Sequence, residues 1–527
     1  MQKIKFSSRQ LFWLILTLAF ILRFYKLGLV PLTLDWDENS NAYNAYSILK
    51  TGRDEYGQFL PITNRSFDDY KPPAYMYLNV ITVKLFGLTP FATRLPSAVF
   101  GFLTVPLIYF LAKKLFAKES IALVSMFLLT ISPWHLQFSR VGFEATIGLF
   151  AAVAAISAFL YGLKDHKWLI AAALALGLSS YTYHTQRIFV PLLFVATFFT
   201  FKSEIAKIPK RFLITFITIS ILIGLPLVIL IPPKVILQRF EVTTGRPKLE
   251  DIEKSIKFIL QDQEIGLDLG KYIHNRRFVI AQSYLGNYLS HFDFNFLFTK
   301  GDDNFRHHIG DMGMLYLFEF PLVLYGIYHF ARFRTKATIF VLLWLLIAPV
   351  AATPATPNPH ANRSLPLIVG LELIAAYSLV SIFSLKIPLQ KYVFLFTTAW
   401  IMLSFIIYLH NYYSHYPYEK ASFWQFGYNQ AVQESEKLRD QYEKILIAKT
   451  IEQAYIFWLF NTKYDPTSYQ QLGTRYHFDK YYFEVKPPSS KNELFISDAE
   501  IFPGNFEVVK IIYYPDGKEA IKIGHPR

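Results

Sequence analysis

Runs of about 20 apolar residues, the length that spans a bilayer as a helix, recur along this chain and constrain its fold more than any other feature. We place these runs at residues 11–29, 91–112, 119–136, 143–162, 168–183, 187–201, 211–231, 313–330, 337–351, 364–384 and 391–409. Charged residues make up 17% of the chain, whereas roughly 25% is usual for a soluble domain. The sequence therefore predicts a polytopic α-helical membrane protein with about 11 to 13 transmembrane helices, located in the plasma membrane.

Basic residues cluster in the linkers between alternate apolar runs. The clusters are Lys113, Lys114 and Lys118; Lys164 and Lys167; Lys202, Lys207, Lys210 and Arg211; Arg332, Arg334 and Lys336; and Lys386 and Lys391. Cytoplasmic loops carry an excess of Lys and Arg, so this pattern predicts a cytoplasmic N-terminus and an extracytoplasmic C-terminus. The same clustering accounts for the net charge of +14 without nucleic-acid binding.

The predicted orientation divides the chain into two parts. Residues 1–409 form a transmembrane domain with long outer loops at 30–90 and 232–312, and the apolar segment 74–88 is interpreted as interfacial or re-entrant because it is short. Residues 410–527 form an extracytoplasmic α+β domain, with a helix over NQAVQESEKLRDQYEKILIAK and strands at YIFWLF, YYFEV, ELFISD and EVVKIIYYPDG.

Three carboxylates follow the first apolar run at Asp35, Asp37 and Glu38. A carboxylate near the hydrocarbon boundary is partly desolvated, which raises its basicity, so it could accept a proton from a hydroxyl nucleophile. The alternative is structural: Asp37 caps the helix NSNAYNAYSILKTG, which Gly52 then ends.

Lys71 precedes Pro72-Pro73, which stiffen the local backbone. A fixed ammonium is a natural ligand for a phosphate. The alternative is an ordinary loop lysine paired with Asp68 or Asp69.

Further polar residues fall at the outer ends of later spans. They are His135, Arg140 and Glu144; His184 and Arg187; and His360 and Arg363, with Arg94 near the start of its own span. Cations at an outer rim oppose the positive-inside bias, so Arg140, Arg187 and Arg363 together indicate an anionic headgroup or a substrate phosphate. Snorkelling is the alternative and accounts for Arg23 and Lys26.

The histidines raise the question of a bound metal. His135, His184 and His360 could ligate a divalent ion together with Glu144, but no closely spaced His pair lies on a helix. The adjacent His307 and His308 cannot both face one site on a regular helix. We therefore predict no required cofactor and leave a divalent metal open.

Four stretches carry a resemblance to a known family. In order they are DWDENSNAYNAYSILKTG, DYKPPAYMYL, LFGLTPFATRLPSAVFG and SPWHLQFSRVGFEA. They resemble the GT-C superfamily of bacterial lipid-carrier-dependent glycosyltransferases, especially glycosyltransferase family 39 relatives of protein O-mannosyltransferases and aminoarabinose transferases. The similarity covers about 10–200 and continues weakly to about 410.

The resemblance implies an enzyme that moves a sugar from a polyprenyl-phosphate carrier to an acceptor hydroxyl on the outer face of the membrane. It matches Asp37-Glu38 to the catalytic acidic pair, with Asp37 as the base, and Lys71 to the ligand of the donor phosphate. We add Arg140, Arg187 and Arg363 as further phosphate ligands and Asp69, His135, Glu144 and His184 as supporting residues.

Two positions depart from the family pattern. Many relatives have an Arg where Ser40 stands, which leaves phosphate binding to other arginines, and a Glu where Tyr70 stands, which removes a carboxylate that could help hold a metal.

The predicted partners are the lipid-linked donor, membrane lipids and a lipid, glycan or protein acceptor. Two other functions are compatible with a polytopic membrane protein. A transporter or flippase of lipid-linked sugars would carry polar residues at mid-span or broken helices in matching halves, whereas here the polar residues gather at one face. A non-catalytic assembly protein would not need Asp37.

Overall fold

Helices form most of the chain up to residue 438. The computed structural model describes residues 7–67, 69–232, 249–385 and 388–527. The first helices are α1 (Ser8–Phe24), α2 (Trp36–Thr51), α3 (Ala74–Phe86), α4 (Pro90–Phe116), α5 (Glu119–Ile131), α6 (Pro133–Phe138), α7 (Ala145–Gly162), α8 (Trp168–Ser179), α9 (Gln186–Ile205) and α10 (Lys210–Leu230). They are followed by α11 (Leu249–Glu264), α12 (Gly270–Ile273), α13 (Arg276–Ser290), α14 (Glu319–Arg332), α15 (Lys336–Ile347), α16 (Leu367–Ser384), α17 (Gln390–His410) and α18 (Tyr416–Glu419).

Each predicted membrane span contains one of these helices. Among the described residues, six helices are long and apolar enough to cross a membrane: α4, α7, α9, α10, α16 and the stretch Gln390–Glu419 that begins with α17. Helices α5, α8 and α15 are shorter apolar helices within predicted spans. Helix α3 has 13 residues and corresponds to the segment interpreted as interfacial or re-entrant. The predicted fold class, a polytopic helical membrane protein with a C-terminal sheet domain, is confirmed.

The helix directions place polar loops and basic linkers at opposite ends of the bundle. Helix α4 begins near Arg94, which contacts the loop that follows α1, and it ends at Lys113 and Lys114. The last turn of α4 meets the end of α7, where the Lys114 ammonium lies 5.0 Å from the ring centroid of Tyr161. Which end of the bundle faces the cytoplasm stays a prediction, and Lys386 lies outside the described residues.

Helix α2 begins with a capping box and ends at a glycine. Asp35, rather than Asp37, is the N-cap: its Oδ1 accepts the Glu38 N–H at 2.8 Å, and Glu38 Oε2 accepts the Asp35 N–H at 3.2 Å. Gly52 ends the helix at φ +72°, as predicted. The structural alternative for Asp37 was therefore wrong, because a side chain inside the first turn cannot occupy the N-cap position.

A short hairpin positions Lys71. Strands β1 (Asn64–Ser66) and β2 (Asp69–Lys71) pair antiparallel, with Asn64 opposite Lys71 and Arg65 opposite Tyr70. Pro72 and Pro73 follow the second strand and lead into α3. Because Lys71 is held by a strand pair and then by a Pro-Pro turn, its backbone direction is fixed locally.

The C-terminal region contains a six-stranded mixed sheet. Its strands are β3 (Lys444–Ala448), β4 (His477–Phe478), β5 (Tyr481–Val485), β6 (Glu493–Asp498), β7 (Phe506–Tyr513) and β8 (Glu519–Pro526), in the order β4-β5-β3-β6-β8-β7. Strand β3 is parallel to β5 and β6, and the other pairs are antiparallel. Its helices are α19 (Tyr428–Leu438), α20 (Ala454–Thr462) and α21 (Pro466–Leu472).

Two predictions in this region were wrong. The helix predicted over NQAVQESEKLRDQYEKILIAK ends at Leu438, and its last apolar residues form β3 at the centre of the sheet. The segment YIFWLF, predicted as a strand, belongs to α20 and is buried on every side. A short run that is apolar all round has no period, so its conformation depends on tertiary packing.

The C-terminal region docks on α2. Gln470 of α21 donates to the hydroxyls of Ser47 and Thr51 at 2.9 and 3.0 Å. The Tyr43 hydroxyl donates to the Tyr464 carbonyl at 3.0 Å. Residues of α2 and of the sheet region also share one apolar core. Helix α2 therefore contacts the C-terminal region along most of its length.

Candidate active site

A cleft of about 220 Å³ lies where the first turn of α2, the hairpin and several loops converge. It collects side chains from distant parts of the sequence. Its lining residues are Asp37, Asp69, Lys71, Pro72, Phe143, Glu144, Tyr183, His184, Asn304, Arg306, His307, His360, Asn362 and Arg363. Carboxylates, cations and imidazoles therefore share one concave site, which is typical of a ligand or catalytic site.

Lys71 and Asp37 form an ion pair at the centre of the cleft. The Lys71 ammonium donates to Asp37 Oδ1, and the side chains are 13% and 30% exposed respectively. Burial lowers the pKa of Lys71, but the negative charges of Asp37 and Glu144 outweigh that effect and raise it. Lys71 is therefore charged and directed into the cleft, and its partner is Asp37 rather than a neighbouring loop aspartate; Asp68 lies outside the described residues.

Glu38, the other member of the acidic pair, is fully buried and does not line the cleft. Its carboxylate accepts from Arg94 at 2.8 and 3.1 Å and from the Gly142 backbone N–H at 2.7 Å. The absence of a side chain at Gly142 permits this approach, because a Cβ there would lie 3.0 Å from Glu38 Cγ. Glu38 therefore fixes α2 against α4 and the loop before α7, and Asp37 is the member of the pair directed into the cleft.

Asp35 does not line the cleft but contacts Arg306, which does. Its carboxylate is fully buried and pairs with Arg306 at 2.8 Å. Burial raises the pKa of Asp35 to about 7, although the Arg306 charge opposes this shift. The pair ties the start of α2 to the segment that contains Arg306.

Four other predicted site residues line the cleft: Asp69, Glu144, His184 and Arg363. Glu144 accepts from the Asn41 amide at 3.2 Å, and His184 Nε2 lies 2.9 Å from the Tyr70 carbonyl. Arg363 donates to the Thr356 carbonyl at 3.1 Å. The structure therefore brings these residues to the same site as Asp37 and Lys71.

Three predicted residues lie elsewhere. Arg140 is buried and donates to the Tyr412 hydroxyl at 3.0 Å and to the Leu22 carbonyl at 2.8 Å. His135 is buried against Arg23, with Nδ1 2.8 Å from a guanidinium nitrogen. Arg187 donates to the Ser180 carbonyl at 3.0 Å and does not line the cleft. Arg140 and His135 thus hold loops and helices together. Buried polar groups need hydrogen-bond partners, and these contacts supply them.

The sequence analysis did not assign Asn304, Arg306 and Asn362 to the site, and it considered His307 only as a metal ligand beside His308. All four line the cleft. The signal available was the dense polar stretch DDNFRHHIGD at the end of the segment 232–312. Residues 233–248 of that segment lie outside the described residues.

Among the described residues, one group could hold a divalent ion: Asp302, His307 and His360, whose ligand atoms all lie within 4.8 Å of one another. Burial lowers the pKa of His360, so its ring is neutral and able to ligate, and His360 Nδ1 is buried without a hydrogen-bond partner. Asp302 Oδ2, however, already accepts from the Ala361 N–H at 2.8 Å and lies 2.6 Å from His307 Nδ1. An ion bound through Asp302 Oδ2 and His307 Nδ1 would therefore replace the bond between these two residues.

The cleft has the groups that glycosyl transfer from a phosphate-linked donor requires. Lys71, Arg306 and Arg363 can stabilise negative charge on a leaving phosphate. Asp37 can accept a proton from a hydroxyl. Because the cleft adjoins helices that can span a membrane, a lipid tail could extend from it along the bundle.

Comparison with solved structures defines the class of fold. The chain aligns with ArnT from Cupriavidus metallidurans bound to undecaprenyl phosphate over 98% of both chains, with a TM-score of 0.57 and 11% identity. It aligns with the Archaeoglobus fulgidus oligosaccharyltransferase tethered to an acceptor peptide over 98% of this chain and 74% of that chain, with a TM-score of 0.53 and 14% identity. The chain is a membrane protein with the GT-C fold.

Comparison of sequences shows which families and proteins parts of this chain match. Residues 70–230 match the family model of dolichyl-phosphate-mannose-protein mannosyltransferases. Two uncharacterized proteins of Aquifex aeolicus (strain VF5) are 32% identical over 124 residues and 30% identical over 123 residues, matches that span 23% and 28% of those relatives. The resemblance to the GT-C superfamily predicted from the sequence is confirmed.

Proposed function

We propose that this protein is a membrane glycosyltransferase that moves a sugar from a polyprenyl-phosphate carrier to an acceptor hydroxyl at the outer face of the membrane. The observation that carries the proposal is the contact between Lys71 and Asp37 in a cleft that also contains Arg306 and Arg363. A phosphate ligand and a proton acceptor thus lie side by side, as the reaction requires.

The reaction assigns a role to each group. The acceptor oxygen attacks the anomeric carbon, its proton passes to Asp37, and the bond between that carbon and the phosphate oxygen breaks. The phosphate leaves with the bonding electrons, and its negative charge is stabilised by Lys71, Arg306 and Arg363. A phosphate bound by Lys71 competes with Asp37 for the ammonium, so donor binding would leave Asp37 available to accept the proton.

The comparisons support a lipid-linked donor. The ArnT structure contains undecaprenyl phosphate, and the Archaeoglobus fulgidus structure contains an acceptor peptide. Both proteins share the fold of this chain over nearly all of its length. We infer a polyprenyl-phosphate sugar as donor and a lipid, glycan or protein as acceptor. We propose no required cofactor, since neither the proton transfer nor the leaving phosphate needs one in this cleft.

Asp37→Asn tests the proposal. The amide keeps the size of the side chain but cannot accept the proton, so the turnover rate should fall roughly 10²–10⁴-fold. The measurement is consumption of a panel of polyprenyl-phosphate sugars by the purified protein in the presence of an extract of cell-envelope lipids and glycans that supplies acceptor hydroxyls, with donor affinity and thermal unfolding recorded for each variant. Donor affinity should be unchanged or higher, and the unfolding temperature should stay close to that of the unchanged protein.

Two matched variants in the same cleft are the controls, Asp69→Asn and Glu144→Gln. Each removes one carboxylate charge from the lining without removing the proposed base, so turnover should fall much less than in Asp37→Asn. Near-normal turnover in Asp37→Asn, or a larger loss in either control, would transfer the role of base to another carboxylate. Asp35→Asn is unsuitable as a control because Asp35 is buried against Arg306.

A further inference from the structure

A second cavity, of about 370 Å³, lies where loop 30–90 meets the C-terminal region. We call it the loop–domain cavity. Its lining residues are Glu55, Tyr56, Arg65, Tyr469, Gln470, Gly473, Thr474, Arg475 and Tyr476. Its volume falls within the roughly 300–1,000 Å³ typical of small-molecule sites. The cavity therefore has the size of a ligand site and is built from two parts of the chain that are distant in sequence.

Aromatic rings and guanidinium groups dominate its chemistry. The Arg65 guanidinium lies 4.2 Å from the centroid of the Tyr56 ring, and the Arg475 guanidinium lies 5.7 Å from that of Tyr476. Tyrosine offers a flat apolar face with a polar hydroxyl, which suits a sugar ring with its hydroxyl groups. Guanidinium forks match the geometry of carboxylates and phosphates. Together these side chains favour a saccharide that carries an acidic group.

Glu55 is an independent sign of a ligand. Its side chain is 3% exposed, and Oε1 accepts from the Asn44 amide at 2.9 Å. Oε2 is buried and has no hydrogen-bond partner among the described residues. Burial raises the pKa of Glu55 to about 8, so the side chain is neutral near pH 7. A neutral carboxyl group can donate to a hydroxyl and does not repel an anion.

The β1–β2 hairpin connects this cavity with the catalytic cleft. Arg65 lines the cavity, and the adjacent Asn64 pairs with Lys71, which lines the cleft. Successive residues of a strand project to opposite faces, so one short strand can serve both sites. The Asn64 amide also donates to Asn41 at 2.7 Å, and Asn41 donates to Glu144 of the cleft. The two sites are thus linked through one short hairpin and through the hydrogen bonds of Asn64 and Asn41.

We propose that the loop–domain cavity binds the acceptor, and that this acceptor is an anionic saccharide. The proposal deepens the proposed function and rests on it, because it assigns the substrate that supplies the hydroxyl. The donor lipid is a poor occupant, since the lining comes from loop 30–90 and the C-terminal region rather than from the apolar helices. A peptide with acidic side chains is the competing occupant, because arginines also recognise acidic peptide motifs.

The test measures saccharide binding to the purified full-length protein without donor. The probes are trigalacturonate and sialyllactose, with maltotriose as a neutral trisaccharide and an acidic tripeptide as the competing class. Both acidic saccharides should bind at least about 10-fold more tightly than maltotriose, because a charged hydrogen bond contributes roughly that factor or more. Arg475→Gln should weaken their binding about 10-fold or more and leave the weak binding of maltotriose unchanged.

Two further variants separate a local effect from a loss of fold. Tyr476 is 51% exposed, so Tyr476→Ala should preserve the unfolding temperature. It should weaken the binding of both acidic saccharides. Lys71→Met should leave the affinity for the acidic saccharides unchanged, while it should lower the affinity for the donor. Equal binding of maltotriose, tighter binding of the tripeptide, no binding of either acidic saccharide, or no effect of Arg475→Gln would overturn the proposal.

The same preparation distinguishes this inference from the proposed function. If the protein consumes donor but binds neither acidic saccharide, the cavity proposal fails and the glycosyltransferase proposal stands. If Arg475-dependent saccharide binding occurs but no polyprenyl-phosphate sugar is consumed, saccharide recognition by the cavity is supported, and its role as an acceptor site fails together with the proposed function.

Discussion

Lys71 and Asp37 are two neighbouring charges that can act one after the other in the proposed reaction, first in donor binding and then in proton transfer. The ammonium is bonded to the carboxylate, and the negative charge of Asp37 helps to keep Lys71 protonated although it is largely buried. The phosphodiester of the donor would compete for the ammonium through its two non-bridging oxygens, which share one negative charge. The pair therefore predicts that donor binding and activation of Asp37 are coupled.

Lys71→Met tests the phosphate role. Methionine keeps most of the apolar stem and removes the charge, so donor affinity should fall by about 1.5–3 kcal/mol, the contribution of a hydrogen bond to a charged group. The measurement is the donor dissociation constant of the purified protein. Asp37→Asn is the matched comparison: it breaks the same ion pair but keeps the ammonium, so donor affinity should be unchanged or higher. Equal weakening by both variants would assign Lys71 a structural role.

Asp35 and Arg306 make stability depend on pH. The pKa of Asp35 is raised to about 7 by burial, so between its usual pKa and pH 7 the folded protein binds a proton that the unfolded chain releases. Stability contributed by this proton is therefore lost as pH rises toward 7. Arg306 opposes the shift by stabilising the charged form. Its removal should raise the pKa of Asp35 further and extend the loss above pH 7.

Arg306→Gln should therefore lower the unfolding temperature only slightly at pH 6 and progressively more up to pH 8.5. The free-energy change approaches about 1.4 kcal/mol for each pH unit across the widened interval. Thermal unfolding of the purified protein across this pH range measures it. In the double variant Asp35→Asn with Arg306→Gln the additional pH dependence of the single variant should disappear, because Asn still caps α2 and does not titrate. A pH-independent loss in the single variant would contradict the assignment.

At the scale of elements, α2 connects the chemistry to the rest of the molecule. Its first turn directs Asp37 into the cleft, and its last turns contact α21 through Gln470. Asp35 and Gly52 set its two ends. Small shifts of this helix would therefore change both the cleft and the docking of the C-terminal region.

Gly52→Ala should destabilise the end of α2. The residue has φ +72°, which costs an L-residue about 1–2 kcal/mol. A Cβ there would also lie 3.1 Å from the Phe59 ring. The free energy of unfolding, measured by chemical denaturation in detergent, should fall by about 1 kcal/mol or more. Gly52→Asn should cost less, since Asn tolerates this conformation better than Ala; equal losses would indicate that the contact with Phe59 dominates.

At the scale of the whole molecule, the predicted orientation places the cleft, the loop–domain cavity and the C-terminal region outside the cytoplasm. The chain has no cysteine, so single cysteines can be introduced and labelled without background. Lys518→Cys lies in the C-terminal region at a side chain that is 81% exposed, and Lys207→Cys lies in an exposed basic linker. A membrane-impermeant maleimide should label Lys518→Cys in intact cells and Lys207→Cys only after lysis. The reverse pattern would contradict the orientation and the outer-face site.

The sequence could assign some residues to the cleft but not others. Lys71 and Asp37 were assigned to one site because the family resemblance covers both, whereas the local pattern left a structural alternative open for each. Arg140 was misplaced because a buried structural arginine and a phosphate ligand look the same in sequence. Arg306 was missed because only folding brings it next to Asp35, which is 271 positions away.

The sequence by itself determined the membrane class, the number and position of most helices and the end of the bundle where polar groups gather. These features follow from local hydrophobicity. In a bilayer the backbone N–H and C=O groups of each apolar run must form hydrogen bonds within the run, and a helix provides them. Only the tertiary structure decided which cations reach the cleft, that Asp35 rather than Asp37 caps α2, and that YIFWLF is helical. Those outcomes depend on contacts between distant residues, where the burial of polar groups and the packing of apolar surfaces override local patterns.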